Sequence, residues 1–129
     1  MPEIPSILVV DDDEANLTLL EHVLEDAECR VVRARDGLEA LQRLAGMGRC
    51  DAILLDRRMP LMDGMEVLRQ LKAEPSYRAI PVVMQSVLES KREIKQAMDA
   101  GACTYLVKPY RDDVLLGAVK EALGGGEKK

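Results

Sequence analysis

Two kinds of hydrophobic pattern alternate along this chain. Short runs of consecutive apolar residues are each followed by a longer stretch whose apolar residues recur every three or four positions. Continuous apolar runs indicate strands buried on both faces, and the second spacing indicates amphipathic helices. The pattern predicts strands at 7–10, 30–35, 52–55, 81–84 and 104–107. It predicts helices at about 14–27, 36–45, from 63 onward, 89–100 and 112–123.

Capping signals and packing rules support this alternation. Asp36 and Asp63 are each followed three residues later by a glutamate, which is the pattern of a helix capping box. Strands alternating with helices favour right-handed crossovers and a parallel sheet covered on both faces, so the predicted fold is an α/β three-layer sandwich. The helix at 89–100 has the smallest apolar face, formed by Ile94, Ala97 and Met98. A helix with so little to bury is a candidate for movement.

Composition narrows the class of protein. The chain has 129 residues, 47% of them apolar and 32% charged, which indicates one globular domain at 1–123. The net charge of −5 argues against direct nucleic-acid binding. No apolar run is long enough to cross a membrane, and the first residues do not resemble a signal peptide, so we expect a cytoplasmic location. The glycine-rich segment 124–129 is expected to be a flexible tail or the start of a linker.

The cysteines and the missing aromatic residues complete this picture. Cys29, Cys50 and Cys103 are widely spaced and lack metal-ligand spacing, so we expect reduced and mostly buried thiols. The chain contains no tryptophan and no phenylalanine, which predicts an aliphatic core.

Acidic residues and a lysine follow three of the predicted strands. Asp11 and Asp12 come directly after the first strand, Asp56 after the third and Lys108 after the fifth. Because the carboxyl ends of parallel strands share one edge of the sheet, we expect these four side chains to converge. Clustered carboxylates repel one another unless a cation is present, and Mg²⁺ prefers oxygen ligands. The sequence therefore predicts a Mg²⁺ site beside a lysine that can hold an anion.

Each of these residues also has a simpler interpretation. Asp11 and Asp12, taken alone, could equally cap a helix, and capping is the better explanation for Asp13 and Glu14. Alone, Asp56 would be a turn residue and Lys108 a surface charge. Taken together they favour chemistry, because a carboxylate beside a metal can attack phosphorus and form an aspartyl phosphate.

Simple structural interpretations also exist for three other residues. Ser86 is commonly a turn residue at such a position, but its hydroxyl could donate to a phosphoryl oxygen. Tyr105 is interpreted first as half-buried filling on an outer strand. His22, the only histidine, lies opposite the buried stripe of its helix and is expected to be solvated.

These residues resemble those of a known family. Over residues 6–123 the chain is similar to the receiver domain of bacterial two-component response regulators. The matching stretches are VVDD at 9–12, LLDRRMPLMDG at 54–64, PVVMQS at 81–86 and GACTYLVKP at 101–109. The resemblance implies a flavodoxin-like sheet of strand order 2-1-3-4-5. It also implies a cis peptide before Pro109.

The resemblance assigns roles to the acids. Asp56 would take a phosphoryl group from a phosphohistidine on a sensor histidine kinase or a histidine phosphotransfer protein. Asp12 and Asp56 would bind Mg²⁺ directly, Asp11 mainly through water, and Arg58 through its backbone carbonyl. The domain would catalyse its own phosphorylation and slow dephosphorylation, and would not be a conventional enzyme.

The resemblance also assigns the groups that hold and sense the phosphoryl group. Lys108, the Ser86 hydroxyl and the Val87 amide would bind it. Ser86 and Tyr105 would be the switch pair that remodels the surface of the fourth helix, fifth strand and fifth helix. That surface would contact a downstream effector protein or domain, and phosphorylation-dependent dimerisation through the last strand and helix is left open.

Several residues depart from the family pattern. Arg57 and Gln85 are polar where apolar residues are commoner, Tyr110 replaces a common phenylalanine, and Arg58 adds a charge at the crevice rim. Gln85 needs hydrogen-bond partners if it is buried. Val87 is larger than usual, so together with Leu88 it is predicted to shield the aspartyl phosphate and slow its hydrolysis.

Two other functions compete with this interpretation. A phosphohydrolase with an aspartate nucleophile would carry a second acid two residues later, where this chain has Arg58. A receiver-like binding domain that ignores phosphate would not need the intact set of acids.

Overall fold

Strands and helices alternate through the described part of the chain. The computed structural model describes residues 4–87 and 90–125. The elements are β1 Ser6–Val10, α1 Glu14–Asp26, β2 Arg30–Ala34, α2 Gly37–Gly46, β3 Ala52–Asp56, α3 Gly64–Ala73, β4 Val82–Ser86, α4 Lys91–Asp99, β5 Thr104–Val107 and α5 Asp112–Gly125. The five predicted strands and five predicted helices are confirmed as types, in the predicted order.

All strand pairs of the sheet are parallel. The order is β2-β1-β3-β4-β5, as the resemblance implied. Every residue of β1, β3 and β4 is buried, which explains why these three segments are almost continuously apolar. The register sets Asp56 beside Gln85 and Ser86 beside Val107, so the strands end together along one edge.

The core lies in two layers, one on each face of the sheet. Alternate residues of the buried strands supply the two layers, because successive side chains of a strand point to opposite faces. On one face Leu55 and Met84 pack with residues of α2, α3 and α4. On the other face Leu54 and Val83 pack with residues of α1 and α5. This confirms the three-layer sandwich and the aliphatic core.

Local signals fix two of the helix starts. The side chain of Asp36 accepts a hydrogen bond from the Glu39 amide at 2.8 Å, and that of Asp63 accepts one from the Glu66 amide at 3.1 Å. Both capping predictions are confirmed. The helices themselves begin one residue later, because an N-cap residue lies outside the helical backbone.

Other boundaries differ from the predictions. β4 continues two residues beyond Met84, because Gln85 and Ser86 stay in the sheet and are buried despite their polarity. α4 begins at Lys91 after Ser90, whose hydroxyl accepts from the Glu93 amide at 3.1 Å. α5 runs to Gly125, two residues past its predicted end at 123. The rest of the predicted tail, 126–129, lies outside the described residues, as do Leu88 and Glu89.

α4 has an even smaller apolar contact than predicted. Ala97 is its one fully buried residue, Ile94 is half-buried, and Met98 is exposed. Including Met98 in the buried face was therefore wrong, because Met98 lies on the solvent side of Ala97.

The cysteines follow the prediction only in part. All three are free; Cys29 is buried and Cys50 is half-buried, but Cys103 is exposed in the turn before β5. Burial raises the pKa of the Cys50 thiol to about 11. Within the described residues, no helix combines the length and hydropathy that a membrane span would require.

Candidate functional site

The predicted acids and lysine meet at the carboxyl edge of the sheet. Asp11 and Asp12 follow β1, Asp56 is the last residue of β3, and Lys108 follows β5. One carboxylate oxygen from each of the three acids lies within 4.8 Å of the others. The Lys108 Nζ is 3.1 Å from Oδ1 of Asp56 and 3.4 Å from Oδ2 of Asp11. The predicted convergence is confirmed.

Burial makes this cluster electrostatically costly. Asp11 and Asp56 are 1% and 5% exposed, whereas Asp12 is exposed and faces solvent. Burial first, and then the charge of Asp11, raise the pKa of Asp56 to about 6, although Lys108 acts in the opposite direction. Burial lowers the pKa of Lys108, but Asp56 and Asp11 outweigh it and the net shift is upward. The lysine therefore stays cationic, and the buried acids have the oxygen chemistry and the charge that suit a hard divalent cation.

Asp11 is held in place by the start of α1, the helix that follows it. Its Oδ1 accepts from the Asp13 amide at 2.9 Å, and its Oδ2 accepts from the Asn16 side chain at 2.5 Å. Asp13 itself caps α1 by accepting from the Ala15 amide at 3.0 Å, which confirms its capping interpretation. The role of Asn16 was missed; its place in the first turn after the acids, one helical turn along from Asp12, is the signal that could have found it.

Ser86 lies beside the acids at the end of β4. Its side chain is 1% exposed, and its carbonyl accepts from the Lys108 amide at 2.8 Å, which joins the ends of β4 and β5. The peptide between Lys108 and Pro109 is cis, as the resemblance implied. Val87 follows with an exposed side chain. Leu88, its predicted partner in shielding the phosphate, lies outside the described residues.

Tyr105 lies farther from the acids, on β5. It is half-buried, as predicted, and packs against the core layer that contains Met84 and Ala97. Its hydroxyl is buried and has no hydrogen-bond partner within 4–87 and 90–125. His22, by contrast, is exposed, as expected.

Two departures from the family pattern meet under the site. Gln85 is fully buried, and its Oε1 accepts a hydrogen bond from the Tyr110 hydroxyl. Burial first, and then Asp11 and Asp56, raise the pKa of Tyr110, so its hydroxyl stays protonated and can donate. Gln85 thus finds the partner it needs for Oε1, while its Nε2 finds none among the described residues. The replacement of a phenylalanine by Tyr110 supplies the donor that the buried amide requires.

The loop after Asp56 is held closely against α3. Gly64 donates its amide to the Arg57 carbonyl at 2.8 Å. A Cβ atom on Gly64 would lie 2.4 Å from the Asp56 carbonyl oxygen and 2.8 Å from the Arg57 Cα. Only a glycine allows this close approach, which fixes the backbone behind the phosphoacceptor candidate.

Arg57 and Arg58 both reach α4. The guanidinium of Arg57 is buried; Nη1 donates to the Glu93 carbonyl at 2.7 Å and Nη2 donates to Oε1 of Gln96 at 3.0 Å. Arg58 pairs with the Glu93 carboxylate at 2.5 Å. The sequence marked both arginines as unusual but gave no sign of their partners, which lie more than 30 residues along the chain.

Comparison with known proteins decides the family. The model of the response regulator receiver domain matches residues 7–120. The chain belongs to this family. It is therefore a receiver domain, the phosphoryl-accepting signalling module of two-component systems.

Three proteins similar to this chain are all response regulators. The chain is 46% identical over 112 residues to the response regulator PleD of Caulobacter vibrioides, covering 87% of this chain and 24% of PleD. It is 33% identical over 119 residues to the polar-differentiation response regulator DivK of Brucella anthropi, covering 92% of this chain and 96% of DivK. A third relative is the cyclic di-GMP phosphodiesterase response regulator RpfG of Xanthomonas campestris, 41% identical over 108 residues, which are 82% of this chain and 28% of RpfG. The chain thus spans about a quarter of the length of PleD and RpfG.

Solved structures share the fold. A response regulator from Chloroflexus aurantiacus matches with a TM-score of 0.89 and 31% identity, over 95% of this chain and 99% of that one. The receiver domain of a sensor histidine kinase from Pseudomonas aeruginosa PAO1 matches with a TM-score of 0.84 and 30% identity, over 95% and 99% of the two chains. That structure is described with a magnesium ion in its active-site cleft.

Proposed function

We propose that Asp56 accepts a phosphoryl group, with Mg²⁺ as cofactor, from a phosphohistidine on a sensor histidine kinase or a histidine phosphotransfer protein. The observation that carries this proposal is the approach of Asp11, Asp12 and Asp56 to within 4.8 Å, with Lys108 3.1 Å from Asp56. The family match supports it, because the module accepts phosphoryl groups.

The metal would be held by four residues at the carboxyl ends of β1 and β3 and in the loops that follow them. Asp12 and Asp56 would be direct ligands, the Arg58 backbone carbonyl would be a third, and Asp11 would act mainly through water. The hydrogen bonds from Asn16, the Asp13 amide and Lys108 already engage both oxygens of Asp11, which supports its indirect role. When bound, Mg²⁺ would neutralise charge on the transferring group and on the acids.

The chain's own side chains supply the rest of the reaction. A carboxylate oxygen of Asp56 attacks phosphorus, an O–P bond forms, and the P–N bond to the donor histidine breaks. Lys108, the Ser86 hydroxyl and the Val87 amide would hold the phosphoryl oxygens. Hydrolysis of the aspartyl phosphate by water would reset the domain slowly, without a conventional enzymatic cycle.

The output would be a change of protein-binding surface. Ser86 and Tyr105 would form the switch pair, and the surface of α4, β5 and α5 would contact an effector protein or domain, or a second copy of the chain. Tyr105 packs against the core layer to which Ala97 of α4 also belongs, so a movement of its ring would disturb the layer on which that helix rests. The exchange with a kinase would take place in the cytoplasm.

The competing phosphohydrolase reaction is disfavoured by the residue that stands two positions after Asp56. The position two residues after Asp56 is Arg58, and its side chain pairs with Glu93. No acid is therefore available at that position to protonate a leaving group.

Intact-mass analysis tests the proposal. Incubation with acetyl phosphate and Mg²⁺ should add one phosphoryl group, stable in acid, that is lost in Asp56→Asn and prevented by a chelator. Asp12→Ala should need more Mg²⁺ for the same yield. Phosphorylation that survives in Asp56→Asn would contradict the assignment, and His22→Gln in that background would show whether the exposed histidine had reacted instead.

A further inference from the structure

α4 is held to the rest of the domain by few apolar contacts. Ala97 is its one fully buried residue. Its C-terminal end is also tied by backbone bonds, since the Ala102 amide donates to the Ala97 carbonyl at 3.0 Å and the Gly101 amide to the Met98 carbonyl at 3.1 Å. Apart from the Ser90 cap and the half-buried Ile94, the first turns of α4 have no apolar anchor within the described residues, so their position depends on polar side chains from elsewhere.

Arg57 supplies that anchor. Glu93 and Gln96 are three residues apart and so lie on the same face of α4. The Arg57 guanidinium, which is buried, donates to the carbonyl of the first and the side chain of the second, at 2.7 and 3.0 Å. A buried guanidinium is costly unless its donors are satisfied, so these bonds are expected to be strong ones. We name this pair of bonds the Arg57–α4 contact.

The other end of Arg57 is fixed at the phosphoacceptor. Its amide donates to the Gln85 carbonyl at 2.8 Å, its carbonyl accepts from the Gly64 amide at 2.8 Å, and it directly follows Asp56. A shift at the end of β3 therefore moves the base of the Arg57 side chain. One residue joins the position of Asp56 to the position of the first turns of α4.

We propose that Arg57 is a positioning residue whose contact holds α4 in the arrangement of the unphosphorylated domain and is lost when Asp56 is phosphorylated. This inference rests on the proposed function of Asp56. If the contact belongs to one state only, removing it destabilises that state, and any ligand that favours the other state must bind more tightly. If the Arg57–α4 contact were present equally in both states, its removal would leave that affinity unchanged.

Hydrogen exchange of the domain without metal or phosphate tests the contact itself. Arg57→Met and Gln96→Leu should each speed exchange of the α4 amides several-fold and leave those of β1 and β3 unchanged. Lys95→Met is the matched control, because Lys95 lies on the same helix, pairs with Asp99 at 3.1 Å and has a largely exposed side chain. Gln96 is exposed, so its variant keeps the test valid if Arg57→Met does not fold.

Binding of a phosphoryl mimic tests the linkage. Titration of trifluoroberyllate in the presence of Mg²⁺, followed by calorimetry, should show about 3- to 10-fold tighter binding to Arg57→Met and Gln96→Leu than to the wild type, toward the low end of ordinary allosteric couplings. Arg57→Lys keeps the charge and can donate from a single nitrogen, so its affinity should return toward that of the wild type. Lys95→Met should bind as the wild type does.

The outcomes separate this inference from the proposed function. Unchanged α4 exchange in both variants would show that the contact does not hold the helix and would overturn the inference. The inference would also be overturned if the variants exchange faster but bind the mimic no more tightly than the wild type does. That result would show that the contact is present in both states. If the wild type itself fails to bind trifluoroberyllate or to be phosphorylated, the proposed function has failed and the linkage falls with it, whatever the exchange rates show.

Discussion

α3 and α4 pack on the same face of the same sheet but are held there by different forces. α3 buries Met65, Val67, Leu68 and Leu71 in the core layer, whereas α4 buries Ala97 alone. Burial of apolar surface is insensitive to pH and to ligands, and polar contacts to a charged crevice are not. The helix held by core packing serves as scaffold, and the helix held by polar contacts near Asp56 is free to respond to what happens there.

Truncation of one apolar residue on each helix should produce the largest difference between them. Leu68→Ala should lower the free energy of unfolding by roughly 2–5 kcal/mol, because it leaves a cavity in a fully packed layer. Ile94→Ala removes a half-buried side chain and should cost about 1 kcal/mol. Urea denaturation of both variants gives the two values. Equal losses would show that α4 depends on apolar packing as much as α3 does.

The contribution of the crevice to the stability of the domain should depend on pH, whereas that of the core should not. The pKa of Asp56 is raised from an ordinary 3.8 to about 6, so its cost to the metal-free domain is absent below about pH 4, grows as pH rises, and is complete above pH 6. Asp56→Asn should therefore stabilise the metal-free domain by up to about 3 kcal/mol near neutral pH and by little near pH 4. Thermal unfolding across that range is the measurement, and Mg²⁺ should reduce the difference between variant and wild type at neutral pH. A gain that is the same at both pH values would contradict the assigned shift.

The loss of stability on disrupting the buried pair of Gln85 and Tyr110 should be intermediate in size. Tyr110→Phe removes the donor to Gln85 and leaves the amide oxygen buried, at an expected loss of about 1–2 kcal/mol. Tyr77→Phe is the control, because Tyr77 is half-buried on the α3 side of the sheet and its hydroxyl has no role in the site. Chemical denaturation should separate the two. A stabilised Tyr110→Phe would show that the tyrosine does not compensate for Gln85.

The smallest effect should come from the exposed ion pair between Arg58 and Glu93. Its side chains are 56% and 24% exposed, so solvent screens most of the attraction. Arg58→Met should change the free energy of unfolding by less than about 0.5 kcal/mol, and added salt should erase the difference. A loss as large as that of Tyr110→Phe would mean that this pair, rather than the Arg57–α4 contact, anchors the first turns of the helix.

Sequence reasoning succeeded where physical rules are local or topological. The caps at Asp36 and Asp63 follow from a spacing of three residues, and the meeting of Asp56 with Lys108 follows from the shared edge of parallel strands. The partners of Arg57 and Gln85 depend on which distant segments pack together, so periodicity could mark both residues as unusual without naming Gln96 or Tyr110. For the same reason the strand end after Met84 was placed too early, since polarity within a segment does not reveal that a tyrosine elsewhere satisfies it.

The lack of a side chain at Gly64 restricts the directions in which the Asp56 backbone can move. The first turn of α3 lies against the Asp56 carbonyl with no room for even a methyl group between them. Movement of the Asp56 backbone toward α3 is therefore blocked by direct contact. A displacement of the end of β3 must take another direction, and the Arg57 side chain connects that strand end to α4.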